Sequence, residues 1–151
     1  MNGDDKFDEI SELVKENGFD VFAVTETWLN DRVSSDCLQI PGYNPIIRRD
    51  RNQRMGGGVA FFTANSLVVK RRLHLELAAI EFLWIEFRIK HLDILCGLCY
   101  RPPDNDSVSL DNFFFNWFLT KFVNFPNNTL LLCWETLILT MMLQIHQGIV
   151  M

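Results

Sequence analysis

One acidic residue stands where chemistry is easiest to place. Glu26 follows directly on Asp20-Val-Phe-Ala-Val-Thr25, an apolar run too brief for a helix. Such a run reads as a strand buried on both faces. Glu26 then lies at the carboxyl edge of a sheet, where open α/β sheets bind their ligands. Its hard oxygen suits Mg²⁺, which is held by one or two carboxylates completed by water and substrate phosphate. Read alone, the same glutamate can equally be a loop residue that starts a turn. Arg48, Arg49, Arg51 and Arg54 crowd one charged loop, and Arg101 follows a later apolar run. Guanidinium groups of this kind touch phosphates, or they simply solvate a loop.

Other constellations are weaker. Cys96 and Cys99 have the spacing of half a zinc site. Positions three apart on a strand point to opposite faces, and no second Cys or His pair completes a tetrahedron. They read as buried thiols. His74, His91 and His146 are isolated, so they make no Cys–His or Ser–His arrangement. Gly56-Gly57-Gly58 is not a phosphate loop, because no Lys-Ser/Thr follows and a strand comes next. Close backbone approach, or a turn into Val59, explains it better. The aromatic run Phe113 to Phe125 has helical spacing and reads as a packed helix rather than a base-stacking platform.

These residues need elements to position them. Asp4 to Asn17 reads as a helix whose buried stripe is Phe7, Ile10, Leu13 and Val14, with Gly18 as its stop. After the strand ending at Thr25, the chain is irregular to Pro41-Gly42. Strands are expected over Tyr43 to Arg49, Val59 to Thr63, Ser66 to Leu75, Ile80 to Ile89 and Leu92 to Tyr100. Lys90-His91 makes the hairpin turn between the last two. In the strand from Ile80, Phe82, Trp84 and Glu86 share one face, and Leu83, Ile85 and Phe87 share the other. A helix over Ser109 to Val123 and a strand from Thr129 to Cys133 complete the pattern, which is an α/β or α+β layer architecture.

Composition sets the bounds. With 151 residues there is room for one domain, and 48% hydrophobic against 22% charged residues fits a globular chain. Lys plus Arg number 14 against 19 Asp plus Glu, a net charge of −5. That excludes a protein drawn to nucleic acid by overall charge, though not a local metal site that meets phosphate. No secretory signal opens the chain, since Met1 to Glu16 is polar and acidic. The four cysteines are then expected to be reduced, and the protein not secreted. The longest apolar stretch, Leu130 to Leu143, is short and contains Glu135, so no membrane span is expected.

Several segments in order are more specific than any one alone. They are Asp20-Val-Phe-Ala-Val-Thr-Glu-Thr-Trp-Leu-Asn-Asp31, Ile40-Pro-Gly-Tyr43, Arg48-Arg-Asp-Arg51, Gly56-Gly-Gly-Val-Ala60, Leu83-Trp-Ile-Glu86 and Gly97-Leu-Cys-Tyr-Arg-Pro-Pro103. From about Phe7 to Cys133 the chain resembles the endonuclease domain of non-LTR (LINE-type) retrotransposons, within the endonuclease/exonuclease/phosphatase superfamily. The resemblance implies a partial four-layer α/β sandwich, with two mixed sheets face to face and helices outside. It implies Mg²⁺-dependent cleavage of a DNA phosphodiester, the nick that primes reverse transcription; a monomer is expected, nuclear if functional and otherwise cytoplasmic. It further implies that Glu26 binds the metal and that Tyr100 approaches the scissile phosphate. The alternatives are a non-catalytic DNA-binding remnant, using the Arg48 to Arg54 loop, and a fragment without selected function.

The sequence also departs from that pattern. The family's first strand carries an Asn near the metal, and this sequence starts after it. Its Gly-Asp-Phe-Asn segment should follow Leu132, but Cys133-Trp-Glu-Thr-Leu-Ile-Leu-Thr-Met-Met142 stands there. The Ser-Asp-His segment with the general base would lie beyond Met151. Low activity is therefore expected, with residues 1–133 as the partial domain and 134–151 as an aberrant tail. A frameshift near Leu131 to Cys133 would account for the tail. Codons for Trp134-Glu135 always contain GGA, a glycine codon in the shifted frame, and codon choice allows Asp-Phe-Asn to follow. Such a tail is expected to pack poorly and expose apolar surface.

Overall fold

The computed structural model describes residues 3–51, 56–77, 80–100, 129–136 and 141–143. Arg54, Arg101 and the helix expected over Ser109 to Val123 lie outside the described residues.

Helix α1 spans Gly3–Asn17. Val14 is fully buried, with Phe7 and Ile10 packed beside it, whereas Leu13 sits at the margin of the stripe and is exposed. Gly18 ends the helix at φ 61, and its N–H donates to the Val14 carbonyl over 3.0 Å. Only a residue at ease in the left-handed region closes a helix this way. The Tyr43 hydroxyl then fastens this end, donating to the Phe19 carbonyl at 2.7 Å and the Val14 carbonyl at 3.2 Å.

Eight strands follow: β1 Val21–Thr25, β2 Ile47–Arg49, β3 Val59–Thr63, β4 Lys70–Arg71, β5 Glu81–Ile89, β6 Leu92–Tyr100, β7 Thr129–Thr136 and β8 Met141–Leu143. They form two four-stranded sheets, ordered β2-β3-β1-β8 and β4-β5-β6-β7. The first is antiparallel throughout its described strands, where two mixed sheets were expected. The second is mixed, since β7 runs parallel to β6.

The two-residue periodicity of a strand decides the layers. Val21, Ala23, Val59 and Phe61 of the first sheet meet Leu83, Ile85, Phe87, Ile94, Cys96, Leu98 and Tyr100 of the second in one buried cluster. Their neighbours Phe22, Ala60 and Phe62 point the other way, under α1. On the outer face of the second sheet, Phe82, Trp84, Leu95 and Cys99 are buried with Leu75. Burial of each large apolar side chain contributes about 1.5–3 kcal/mol, so the core between the sheets is what holds the two edges together. The protein is thus an α/β chain: a partial sandwich of two packed sheets with a helix outside.

Three local readings changed. Only Ile47–Arg49 of the expected Tyr43 to Arg49 strand pairs as β2, with an isolated bridge at Tyr43–Ala64. Pro45 lies between them and has no N–H for the ladder. Of Ser66 to Leu75 only Lys70–Arg71 pairs, because the chain turns at Arg72 into a 3-10 turn over Leu73–Leu75. Finally, the strand begun at Thr129 continues past Cys133 to Thr136, and Met141–Leu143 pairs with β1. Poor packing of that tail, which was expected, concerns side chains outside the described residues.

Candidate functional site

β1 ends at Thr25, directly opposite Val59, where β3 begins. The segments just beyond, Glu26–Trp28 and Gly56–Gly58, therefore run side by side. Thr27 N–H donates to the Gly58 carbonyl at 3.3 Å and Trp28 N–H to the Gly57 carbonyl at 2.9 Å. In the second sheet, Glu81 opens β5 opposite Tyr100, which closes β6, and Thr136 of β7 stands in register with Tyr100. The carboxyl ends of β1, β6 and β7 belong to one rim, together with the starts of β3 and β5.

The three glycines hold this rim together. Their φ values are 85, 76 and 87, a left-handed run open to glycine at little cost. This conformation turns successive N–H groups outward, an arrangement that gathers anions. Gly57 N–H donates to Glu26 Oε2 at 2.9 Å, and Gly58 N–H donates to Glu81 Oε2 at 2.5 Å. One turn thus grips a carboxylate from each sheet. Neither position has room for a side chain. A Cβ on Gly57 would lie 2.6 Å from the Arg51 guanidinium and 2.7 Å from Glu81 Oε2, and one on Gly58 would collide with Thr27 Oγ1.

The two carboxylates differ in charge balance. Glu81 is ion-paired with Arg51, whose guanidinium also lies 5.5 Å from the centre of the Tyr100 ring. Among the described residues Glu26 receives only dipoles: besides Gly57, the Trp28 indole N–H donates to the same Oε2 at 2.7 Å. Among the described residues no cation pairs with Glu26, and none donates to its Oε1. Glu26 and Trp28 both occupy the left-handed region, at φ 57 and 55. For such residues this costs about 1–3 kcal/mol each and collects at functional sites. A half-buried carboxylate oriented through one oxygen fits a Mg²⁺ ion that takes its other ligands from water and phosphate. Among the described residues no group of three or more Asp, Glu, His or Cys side chains is gathered for a metal.

The described arginines of the charged loop, Arg48, Arg49 and Arg51, work inward. Arg48 donates to the Val33 carbonyl at 2.6 Å and pairs with Asp50 at 3.5 Å. Arg49 donates to the carbonyls of Phe82 and Leu77 at 2.8 and 2.6 Å, tying β2 to the second sheet. Burial draws the Arg49 guanidinium below its ordinary value, with Glu76 opposing. Cys96 and Cys99 lie on opposite faces of β6, one between the sheets and one outside. Glu26 and Tyr100 are brought to one rim through Gly57, Gly58, Glu81 and Arg51. Sequence reasoning passed over Glu81, Trp28 and the donor role of the glycines. The signal that could have found them is the triple glycine, which asks what approaches so closely that no side chain fits.

Over residues 1–135 the sequence matches the endonuclease/exonuclease/phosphatase family. The chain belongs to that family. A search of curated proteins found no match to it. Membership points to a nuclease- or phosphodiesterase-type hydrolase. The family commonly uses a divalent metal and includes nucleic-acid-directed enzymes. No helix among the described residues is long and apolar enough to cross a membrane.

Proposed function

We propose that the chain is an endonuclease domain of LINE-type retrotransposon origin, built to cut DNA with Mg²⁺, and that in its present sequence it binds but does not turn over. The observation that carries this reading is the Glu26 carboxylate, fixed through one oxygen by Gly57 and Trp28 and unpaired with any described cation, on the rim that also ends β6 at Tyr100. Glu26 holds the metal. Tyr100, packed at the end of the core between the sheets with Arg51 over its ring, would offer its hydroxyl to the phosphate. Bound Mg²⁺ supplies charge neutralisation at the phosphate and a more acidic water.

The loss of turnover follows from β7. Trp134, Glu135 and Thr136 stand in register with Leu98, Cys99 and Tyr100, where the resemblance calls for Gly-Asp-Phe-Asn. That segment would supply the Asp that activates water and the Asn that orients groups around the phosphate. General acid–base help is worth roughly 10²–10⁴ in rate, and a site without it keeps only the smaller electrostatic part. Nicking of supercoiled plasmid in Mg²⁺ should stay at background. Robust nicking abolished by Glu26→Ala would overturn the inactivity and keep the site. Robust nicking indifferent to Glu26→Ala would remove the site as well. The coding DNA tests the frameshift: codons for Glu135 to Leu137 that cannot give Asp-Phe in the shifted frame exclude it.

A further inference from the structure

Among the described residues of this rim, the aromatic ring of Trp28 is the feature that neither the fold nor the metal site uses up. Trp28 is 63% exposed, the only aromatic among the exposed large hydrophobic residues described. Its position is nevertheless fixed. The backbone is held at φ 55 by the Trp28 N–H bond to the Gly57 carbonyl, and the indole N–H is tied to Glu26. A Cβ built on Gly56 would contact Cε2 and Cζ2 of the ring at 3.5 Å, so the glycine backbone passes close beside the indole. A bulky residue in the left-handed region is a true outlier. Here the strain holds an indole out in solvent, where it forgoes the burial that aromatic residues usually gain.

We infer that the outer surface of Trp28 is a stacking subsite for a nucleobase of the substrate strand, next to the phosphate that Glu26 serves. The inference rests on the reading of the rim as a DNA site. A base is the occupant because the ring is tied edge-on to the carboxylate that would hold the metal. A strand whose phosphate reaches that metal carries a base within one nucleotide of the indole. Stacking on an aromatic platform needs no guanidinium, which suits a rim whose described arginines are turned inward. It is also tolerant of sequence, since every base has a π-face.

The test compares two fluorescently labelled octamers of equal charge in Mg²⁺, one octathymidylate and one made of abasic residues, by fluorescence polarisation. The readout is the ratio of their affinities, which cancels phosphate and metal contacts common to both. Wild-type protein should prefer the base-bearing octamer by about tenfold. Trp28→Leu should bring the ratio to one. Trp28→Phe, which keeps a ring but loses the bond to Glu26, should retain most of it. A merely structural indole would lower both affinities together in both variants. Metal-dependent binding that Glu26→Gln abolishes, with equal affinity for the two octamers, overturns the stacking subsite and leaves the DNA reading standing. Binding of neither octamer overturns both.

Discussion

Replacing Gly57 by alanine separates a joint between the sheets from an ordinary loop. At Gly57 φ is 76, and an added Cβ would stand 2.6 Å from the Arg51 guanidinium and 2.7 Å from Glu81 Oε2. Gly42 supplies the control, with φ 88 and nothing within 4 Å of its Cβ. An L-residue in the left-handed region costs about 1–2 kcal/mol, so Gly42→Ala should lose that amount and no more. Gly57→Ala carries the same strain and must also move Arg51 away from Glu81. Those two side chains are only 18% and 14% exposed, and disturbing a hydrogen-bonded charged pair in such a place adds about 1–3 kcal/mol. In a domain of this size 1 kcal/mol moves Tm by about 2–4 °C, so the two variants should melt on the order of 5 °C apart. Urea melts give the free energies directly. Equal losses in both variants would refute the claim that the turn is packed between the two carboxylates.

Tyr43→Phe removes a hydroxyl that donates to two carbonyls and should cost about 1 kcal/mol in urea melts. Burial, then the charge of Asp20, raises the Tyr43 phenol above its ordinary value. Its contribution is therefore complete below the unfolded value and lost as pH rises through the folded one, so wild type should lose stability more steeply in alkali than Tyr43→Phe. Gly97→Ala puts a Cβ 2.5 Å from the Trp84 ring. Overpacking at this fully buried site should cost about 1–3 kcal/mol and shift the tryptophan emission, and an unchanged spectrum and melt would disprove the contact. Burial raises the Asp50 carboxyl, Arg48 opposes and Asp31 adds to the rise. The folded state then favours the protonated form, and stability falls as pH climbs from the ordinary carboxylate value through the folded one. Urea melts from about pH 3 to pH 6 should show a flatter profile for Asp50→Asn.

Long apolar runs closed by turn residues were legible. Val59–Thr63, Leu92–Tyr100 and the Lys90-His91 hairpin stand where the pattern puts them. The facing of Phe82 and Trp84 against Leu83, Ile85 and Phe87 follows the alternation. Ser66 to Leu75 was misread because its apolar residues alternate like a strand. There, Val68 is exposed and the ladder ends after Arg71, where the side chains of Arg71 and Arg72 chelate Glu76 and Glu86. Those ion pairs join residues from different elements, which a one-dimensional pattern does not show. The site divides the same way. Glu26 was visible because it ends a strand, a local fact. Glu81 was hidden because it meets Arg51 and Gly58 only once both sheets are stacked, and the arginine loop looked solvent-directed because its carbonyl acceptors come from Val33, Leu77 and Phe82.

The order of strands in the two sheets has a consequence for assembly. The β5–β6 hairpin pairs neighbours in the chain and can zip within microseconds, as hairpins do. β1, by contrast, lies between β3 and β8, one near in sequence and the other well over a hundred residues further on. During synthesis at about 5–20 residues per second, β1 must wait for its second neighbour until well over a hundred further residues have been made. One flank of that apolar strand is therefore the last to close, and amide protection should appear first along β5 and β6 and last between β1 and β8.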